Sequence, residues 1–263
     1  MLLGGHVRNT DDIVFLKENG FDFGEVILKD PAARSYWADI DVPSITGPDF
    51  RLLAHGPHEG DPSSLANLWD NYYPALRETI DTAVLIKASL LTVHLWVDPR
   101  YVSKPQILEK RKAFMDLFFF AQNQGITLSL ENLSESAFDL SFALNGVPEA
   151  SITLDIGHGQ LLTDSNRSFE IISNLSKQIQ HVHVHDNFGG DGVKDDLHLP
   201  IGDGIIDFEA ILGALMASGY DKTITLELEH HELIVSRQRL INIIERVKTR
   251  QNLRYSFINA QTN

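Results

Sequence analysis

The chain has 263 residues, 43% hydrophobic and 22% charged, the proportions of a globular protein with room for a sizeable core. It has no cysteine, which excludes disulfides, thiolate metal ligands and a cysteine nucleophile, so any metal must be held by N and O ligands. Its formal net charge of −14 disfavours nonspecific attachment to phosphate backbones and argues against a nucleic-acid partner.

Strand-like and helix-like segments alternate along the chain. The first strand is expected at 2–7, where Met1 leads directly into LLGGHV without a basic stretch. No cleaved signal is therefore expected, and the cytoplasm is the default location. A helix at 10–19 follows, with Thr10 as its cap and Asn19-Gly20 as its stop. Further strands are expected at 22–28, 51–56, 90–96, 126–131, 151–156, 180–185 and 223–229. Helices are expected at 31–39, 64–88, 104–124, 134–144, 167–178, 207–218 (capped by Asp207 and ended by Gly219) and 234–249. No apolar run is long enough to cross a bilayer, and no Pro/Gly/Ser-rich linker divides the chain. Eight β/α units of about 33 residues each match a single-domain α/β (β/α)8 TIM barrel over residues 1–250. Residues 251–263 read as a polar C-terminal tail.

The strand patterns sharpen this. Side chains alternate across a strand. Thr127, Ser129 and Glu131 share one face and Ile126, Leu128 and Leu130 the other. The same division holds in 151–156, in 181–185, where three His oppose two Val, and in 223–229. Apolar faces would meet the outer helices, and polar faces would point into the barrel. Six strands reach a His, Asp or Glu near their C-terminal ends: His55, His94, Glu131, Asp155, His183 and Glu227. That is the end where such barrels carry their active sites. Glu131, Asp155, His183 and Glu227 would converge there as three carboxylates and an imidazole. Without a cation they would repel one another. An oxygen-rich set of this kind suits Mn²⁺, Mg²⁺, Co²⁺ or Zn²⁺. His158, in Asp-Ile-Gly-His, and Asp196-Leu-His198 add further donors at the rim.

These segments, LSLENL, LDIGH, HVHVHDN and DDLHLPIGDGIIDF, resemble the xylose isomerase-like TIM barrels, over nearly the whole chain. That family includes sugar isomerases and epimerases and the endonuclease IV-type AP endonucleases. The resemblance implies a metal site at Glu131, Asp155, His183 and Glu227. On the endonuclease pattern it implies three zinc sites: His55, His94 and Glu131; Glu131, Asp155, His183 and Glu227; and His158, Asp196 and His198. One ion per chain is expected on the isomerase pattern and up to three on the other. The chain departs from the endonuclease pattern in loops that read as short and carry no evident aromatic or arginine-rich wedge for DNA.

Plainer roles compete for several residues. His181 reads as a buried, hydrogen-bonded core residue, and His58, His230 and His231 as solvated loop residues. His6, Glu25 and His185 are candidates for substrate contact, Glu25 toward a sugar hydroxyl or as a partner for a cation, and His185 alternatively as a support behind a metal ligand. The LFFF run at 117–120 reads as a helix face on the barrel. The Gly pairs at 189–190 and 202–204 could cradle phosphate, but turns are their commoner use. The function expected is a metal-dependent isomerase or epimerase of a sugar, sugar phosphate or polyol, with Glu131 and Glu227 as the proton-transfer carboxylates. An endonuclease IV-like zinc phosphodiesterase is the alternative, and a non-catalytic polyol-binding barrel a third. The partner is a small sugar or polyol, with a homo-oligomer compatible with the fold.

Overall fold

The computed structural model describes residues 1–147 and 149–261, with the side chains of these apart from Val193 and 254–261. Eight strands pair in parallel in chain order: β1 (Leu2–Val7), β2 (Phe23–Ile27), β3 (Arg51–His55), β4 (Leu90–Val93), β5 (Thr127–Glu131), β6 (Ser151–Asp155), β7 (Ile179–Val184) and β8 (Thr223–Leu226). Leu2 of β1 lies beside Thr223 of β8, which closes the sheet into the expected TIM barrel. The helices are α1 (Thr10–Glu18), α2 (Pro31–Ala38), α3 (Val42–Thr46), α4 (Leu65–Asn67), α5 (Tyr73–Leu85), α6 (Lys104–Asn123), α7 (Ala137–Leu144), α8 (Ser168–Leu175), α9 (Phe208–Ala217) and α10 (His230–Gln261).

Several helix ends differ from expectation for local reasons. The cap of α1 is Asn9, not Thr10: its side chain accepts from the Asp11 and Asp12 amides, while Asp12 accepts from the Asn9 amide. The helix expected over 64–88 is interrupted between α4 and α5 by a widened π turn at Leu68–Tyr72. Pro74, at the start of α5, has no N–H to give and crowds the preceding turn, which the wider turn relieves. Asp207 does cap α9, accepting from the Ala210 amide. The stretch expected to form a tail from residue 251 instead continues α10 to Gln261; its polar residues include no Pro or Gly to stop a helix.

The main core is the layer between barrel and helices. Leu128, Leu130, Ile152, Leu154, Val182, Val184, Ile224 and Leu226 are buried there, as alternation required. Leu117 and Phe118 of the LFFF run join it, whereas Phe119 is exposed. Inside the barrel a separate small cluster of Phe23, Leu53 and Leu90 forms an apolar floor. Gly4 makes this floor fit, because a Cβ there would stand 2.4 Å from the Phe23 ring.

Above the floor the interior is polar. Thr92 and Thr153 share a hydrogen bond (2.9 Å), and Thr153 and Ser151 both donate to the Ser129 hydroxyl (2.8 and 3.0 Å). Each hydroxyl is buried but partnered, so the layer avoids the desolvation cost of an unmet polar group. The next inward positions up the strands carry acids and imidazoles.

Candidate metal centre

Glu131 ends β5 and Asp155 ends β6, while Glu227 lies one residue past β8 and His94 one past β4. His55 ends β3, and His183 sits near the end of β7. The barrel's closure therefore brings residues far apart in sequence to one rim. His183 Nδ1 lies 3.2 Å from Glu131 Oε1, 3.0 Å from Glu227 Oε1 and 3.9 Å from Asp155 Oδ2. Donor atoms of His55, Glu131, His183 and Glu227 all fall within 4.8 Å of one another. His94 Nε2 meets Glu131 Oε2 at 2.8 Å, and His6 Nε2 meets Glu227 Oε1 at 3.0 Å.

A second cluster adjoins the first. Donor atoms of His158, His185, Asp196 and His198 also lie within 4.8 Å of one another. Asp196 Oδ2 is 3.3 Å from both His158 Nε2 and His198 Nε2. The His185 and His198 rings stack at 3.9 Å. His185, expected either behind a metal ligand or facing substrate, is fully buried, with Nε2 3.3 Å from Asp155 Oδ1 and 3.6 Å from Asp196 Oδ1. His58 is exposed beside His94; His230 stacks on Phe15 near Asp12.

The imidazoles are aimed. Nδ1 of His55 bonds the Gly56 carbonyl, that of His158 the Asn132 carbonyl and that of His198 the Glu227 carbonyl. Each ring thereby turns Nε2 toward the carboxylates, the arrangement of a metal-ligating histidine. His198 is held so at a φ of 46°, in the left-handed region that costs a non-glycine residue roughly 1–2 kcal/mol.

The charges are strongly coupled. Burial pushes the Glu131 carboxyl up, but the imidazoles of His183 and His94 outweigh it and hold it well below the usual carboxylate range. Glu227 behaves likewise through His183 and His6. Burial alone would lower His55, yet Glu131 and its neighbours raise it to about 9. His198 is raised to about 9 against burial by Asp196 and Glu227, and His158 and His183 are also raised well above the ordinary value. Asp196 is lowered despite burial by His158 and His198.

Four buried atoms in these clusters have no hydrogen-bond partner among the described residues: Asp155 Oδ2, both ring nitrogens of His185, and Asp196 Oδ1. Orphaned donors and acceptors in a packed rim are costly. Oxygen and imidazole atoms left facing one another fit a hard or borderline divalent cation. The residues present therefore suit a divalent ion among His55, Glu131, His183 and Glu227, with the expected Asp155 at the edge of that group beside His158 and His185, and a further ion at the second cluster.

Three supporting residues were not singled out from sequence. The Asn132 side chain accepts from the Asp155 amide and donates to the Asp155 carbonyl (both 2.9 Å), clamping that ligand. Asp186 is fully buried and accepts from the amides of Asn187, Gly202, Gly204 and Ile206. The glycine loop at 202–204 thus cradles the protein's own carboxylate, and at Gly204 a Cβ would collide with it at 2.3 Å. Gly157 leaves space for the His185 ring. Their signal was adjacency: Asn132, Gly157 and Asp186 each neighbour a rim residue.

Glu25 was expected to meet a sugar hydroxyl or a cation. It is fully buried and faces His183 Nε2 (3.0 and 3.2 Å) and His181 Nε2 (3.2 Å). Burial raises its carboxyl, but those two imidazoles bring it well below the ordinary value. His181 is buried and hydrogen-bonded, as expected.

The model of the xylose isomerase-like TIM barrel family matches residues 13–255. The chain belongs to that family. Among solved structures, likeness of fold extends over nearly the whole chain. A D-tagatose 3-epimerase-like protein is 23% identical, with a TM-score of 0.77 over 95% of this chain and 99% of that one. An L-ribulose 3-epimerase is 18% identical, with a TM-score of 0.75 over 96% and 97%. The IOLI protein, solved with a bound zinc atom, is 14% identical, with a TM-score of 0.74 over 94% and 99%. At these identities the likeness is one of fold. In sequence, the chain is 29% identical over 187 residues to the uncharacterized protein MJ1311 of Methanocaldococcus jannaschii. The match covers 65% of this chain and 61% of that protein, so it spans less than two thirds of the curated relative.

Proposed function

We propose that the protein is a metal-dependent isomerase or epimerase of a sugar, sugar phosphate or polyol. The observation that carries this reading is the pair of carboxylates, Glu131 and Glu227, facing each other across His183 Nδ1 at 3.2 and 3.0 Å. A divalent ion bound among Glu131, Asp155, His183 and Glu227 would supply Lewis acidity, making the C–H beside a substrate carbonyl more acidic. Glu131, buried beside His183 and His94, is the carboxylate placed to take that proton from carbon. Glu227 is the second carboxylate, which would take a proton from water and deliver it to carbon while Glu131 gives its own proton back to water, so that both carboxylates are restored. His6, bonded to Glu227, holds that side chain in place. His94 does the same for Glu131. The fold neighbours named as epimerases agree with this class of reaction.

The test joins metal content to exchange. Protein purified without chelators is expected to carry a divalent metal, and a turned-over ketose to take up deuterium from D2O at the carbon next to its carbonyl. Glu131→Gln and Glu227→Gln should each lower that uptake by 100-fold or more, in line with the 10²–10⁴ of general acid–base catalysis. Uptake undiminished in both variants would sink the assignment.

A second reading, a multinuclear zinc phosphodiesterase, draws on the cluster of His158, His185, Asp196 and His198. The loop carrying Asp196, residues 185–207, is also not short, and it exposes Phe188. Against it stand the net charge of −14 and the engagement of Arg8 and Arg100 by Glu229 and Asp98. Three zinc ions per chain with incision of abasic-site DNA would favour this reading; one ion and no incision would favour the isomerase.

A further inference from the structure

We propose that Glu25 is a positioning residue: it fixes His183 in the tautomer and ring orientation that present Nδ1 to the divalent ion. The inference rests on the metal-centre reading above and concerns how this chain builds one of its ligands.

His55, His158 and His198 each have Nδ1 on a backbone carbonyl and turn Nε2 to a carboxylate, although His158 Nδ1 also lies 3.3 Å from Glu131 Oε1. His183 is anchored the other way round. Its Nδ1 faces Glu131 and Glu227, and its Nε2 faces Glu25, which reaches across the barrel from β2 to β7. An ionised carboxylate only accepts hydrogen bonds. The Glu25 contact therefore requires a proton on His183 Nε2, and a neutral ring protonated there has its lone pair on Nδ1. That lone pair points into the gap between the two catalytic carboxylates.

Glu25 is itself held. His181 Nε2 faces Glu25 Oε2 at 3.2 Å and also lies 3.1 Å from Thr225 Oγ1, while His181 Nδ1 bonds Thr223 Oγ1 at 2.7 Å. Read from the base of the barrel, the chain is Thr223, His181, Glu25, His183, metal position. Glu25, His181 and His183 are fully buried, so no solvent water can substitute for a missing link. A buried carboxylate with two N–H partners is satisfied, whereas one without them would be expensive. Glu25 lies on the far side of the His183 ring from Glu131 and Glu227, at Nε2 where they face Nδ1, which separates its role from theirs. A carboxylate accepting from the far N–H also makes an imidazole a stronger donor to a cation.

The experiment is a zinc titration of the full chain against a chromophoric chelator, paired with long-range ¹⁵N correlation spectra of histidine-labelled protein. Glu25→Gln keeps the shape and removes the charge. Its zinc Kd should rise 10–100-fold, while the thermal midpoint of the chelated variant stays near that of the chelated parent. Zinc-loaded parent protein should show His183 protonated at Nε2 and metallated at Nδ1, with that single-tautomer pattern lost in Glu25→Gln. An unchanged zinc Kd in a folded Glu25→Gln overturns the proposal. So does a parent spectrum with His183 metallated at Nε2, which decides the matter even where the variant fails to fold. Parent protein that takes up no zinc or other divalent ion would bring down the metal-centre reading itself, a distinguishable failure.

Discussion

Gly157 contributes by what it lacks. Its backbone is right-handed helical, so alanine would meet no backbone strain there. A Cβ, however, would stand 2.1 Å from His185 Cε1. The ring is fully buried between Asp155 and Asp196 and has nowhere to retreat without disturbing both. Gly157→Ala should therefore act on the site through His185 alone. The expected outcome is a loss of about 1–3 kcal/mol in unfolding free energy, the usual cost of overpacking, together with weaker binding of any second metal equivalent. Denaturant titration and metal-binding isotherms of the two proteins would read both. A variant with unchanged metal isotherms would mean that His185 is not held for metal.

The loop between β7 and α9 shows how one element carries several site residues. It presents Asp196 and His198, and its far end wraps Asp186, which takes four backbone N–H groups. Bonds to a charged acceptor contribute more than neutral ones, and losing them leaves buried amides unmet. Asp186→Asn should cost about 2–4 kcal/mol and release the loop, read as faster proteolysis within 196–206 and a raised Kd for metal at His198. Equal stability and equal proteolysis would show that the cradle is not what fixes the loop. Strand elements of this kind were legible in the sequence because period-two alternation survives in every β-strand that faces helices on one side and a polar interior on the other. The rim residues were legible because they end those strands. Other features were not. Asn9 and the π turn before Pro74 depend on local backbone choices that a hydrophobic period does not encode. Glu25 depends on a contact between β2 and β7, which exists only once the barrel has closed. The Asp186 cradle likewise pairs a strand end with glycines many residues later, so the same Gly-rich motif read equally well as a turn or a phosphate nest.

At the scale of the whole molecule, the barrel encloses an unusually polar interior for its fold, and its charge balance at the rim depends on what neutralises the acids. Glu25, Glu131, Asp155, Asp196 and Glu227 are gathered there in a chain already carrying a net charge of −14. With metal removed, imidazolium protons are the neutralising charges. His55 and His198 are raised to about 9 in the fold, against an ordinary value of 6.5. A folded-state value above the unfolded one gives a contribution to stability that is complete below about pH 6.5 and is lost as pH rises toward 9. The chelated protein should thus lose thermal stability between pH 6.5 and 8.5. A divalent ion takes the place of those protons, and its affinity rises as they leave. The gap in melting temperature between zinc-loaded and chelated protein should therefore widen over the same interval. Differential scanning calorimetry at pH 6.5, 7.5 and 8.5, with chelator or with excess zinc, reads both slopes. A chelated melting temperature that is flat or rising across that window would mean that the histidines do not hold the rim acids together. A constant gap would mean that metal and protons do not compete for the same nitrogens.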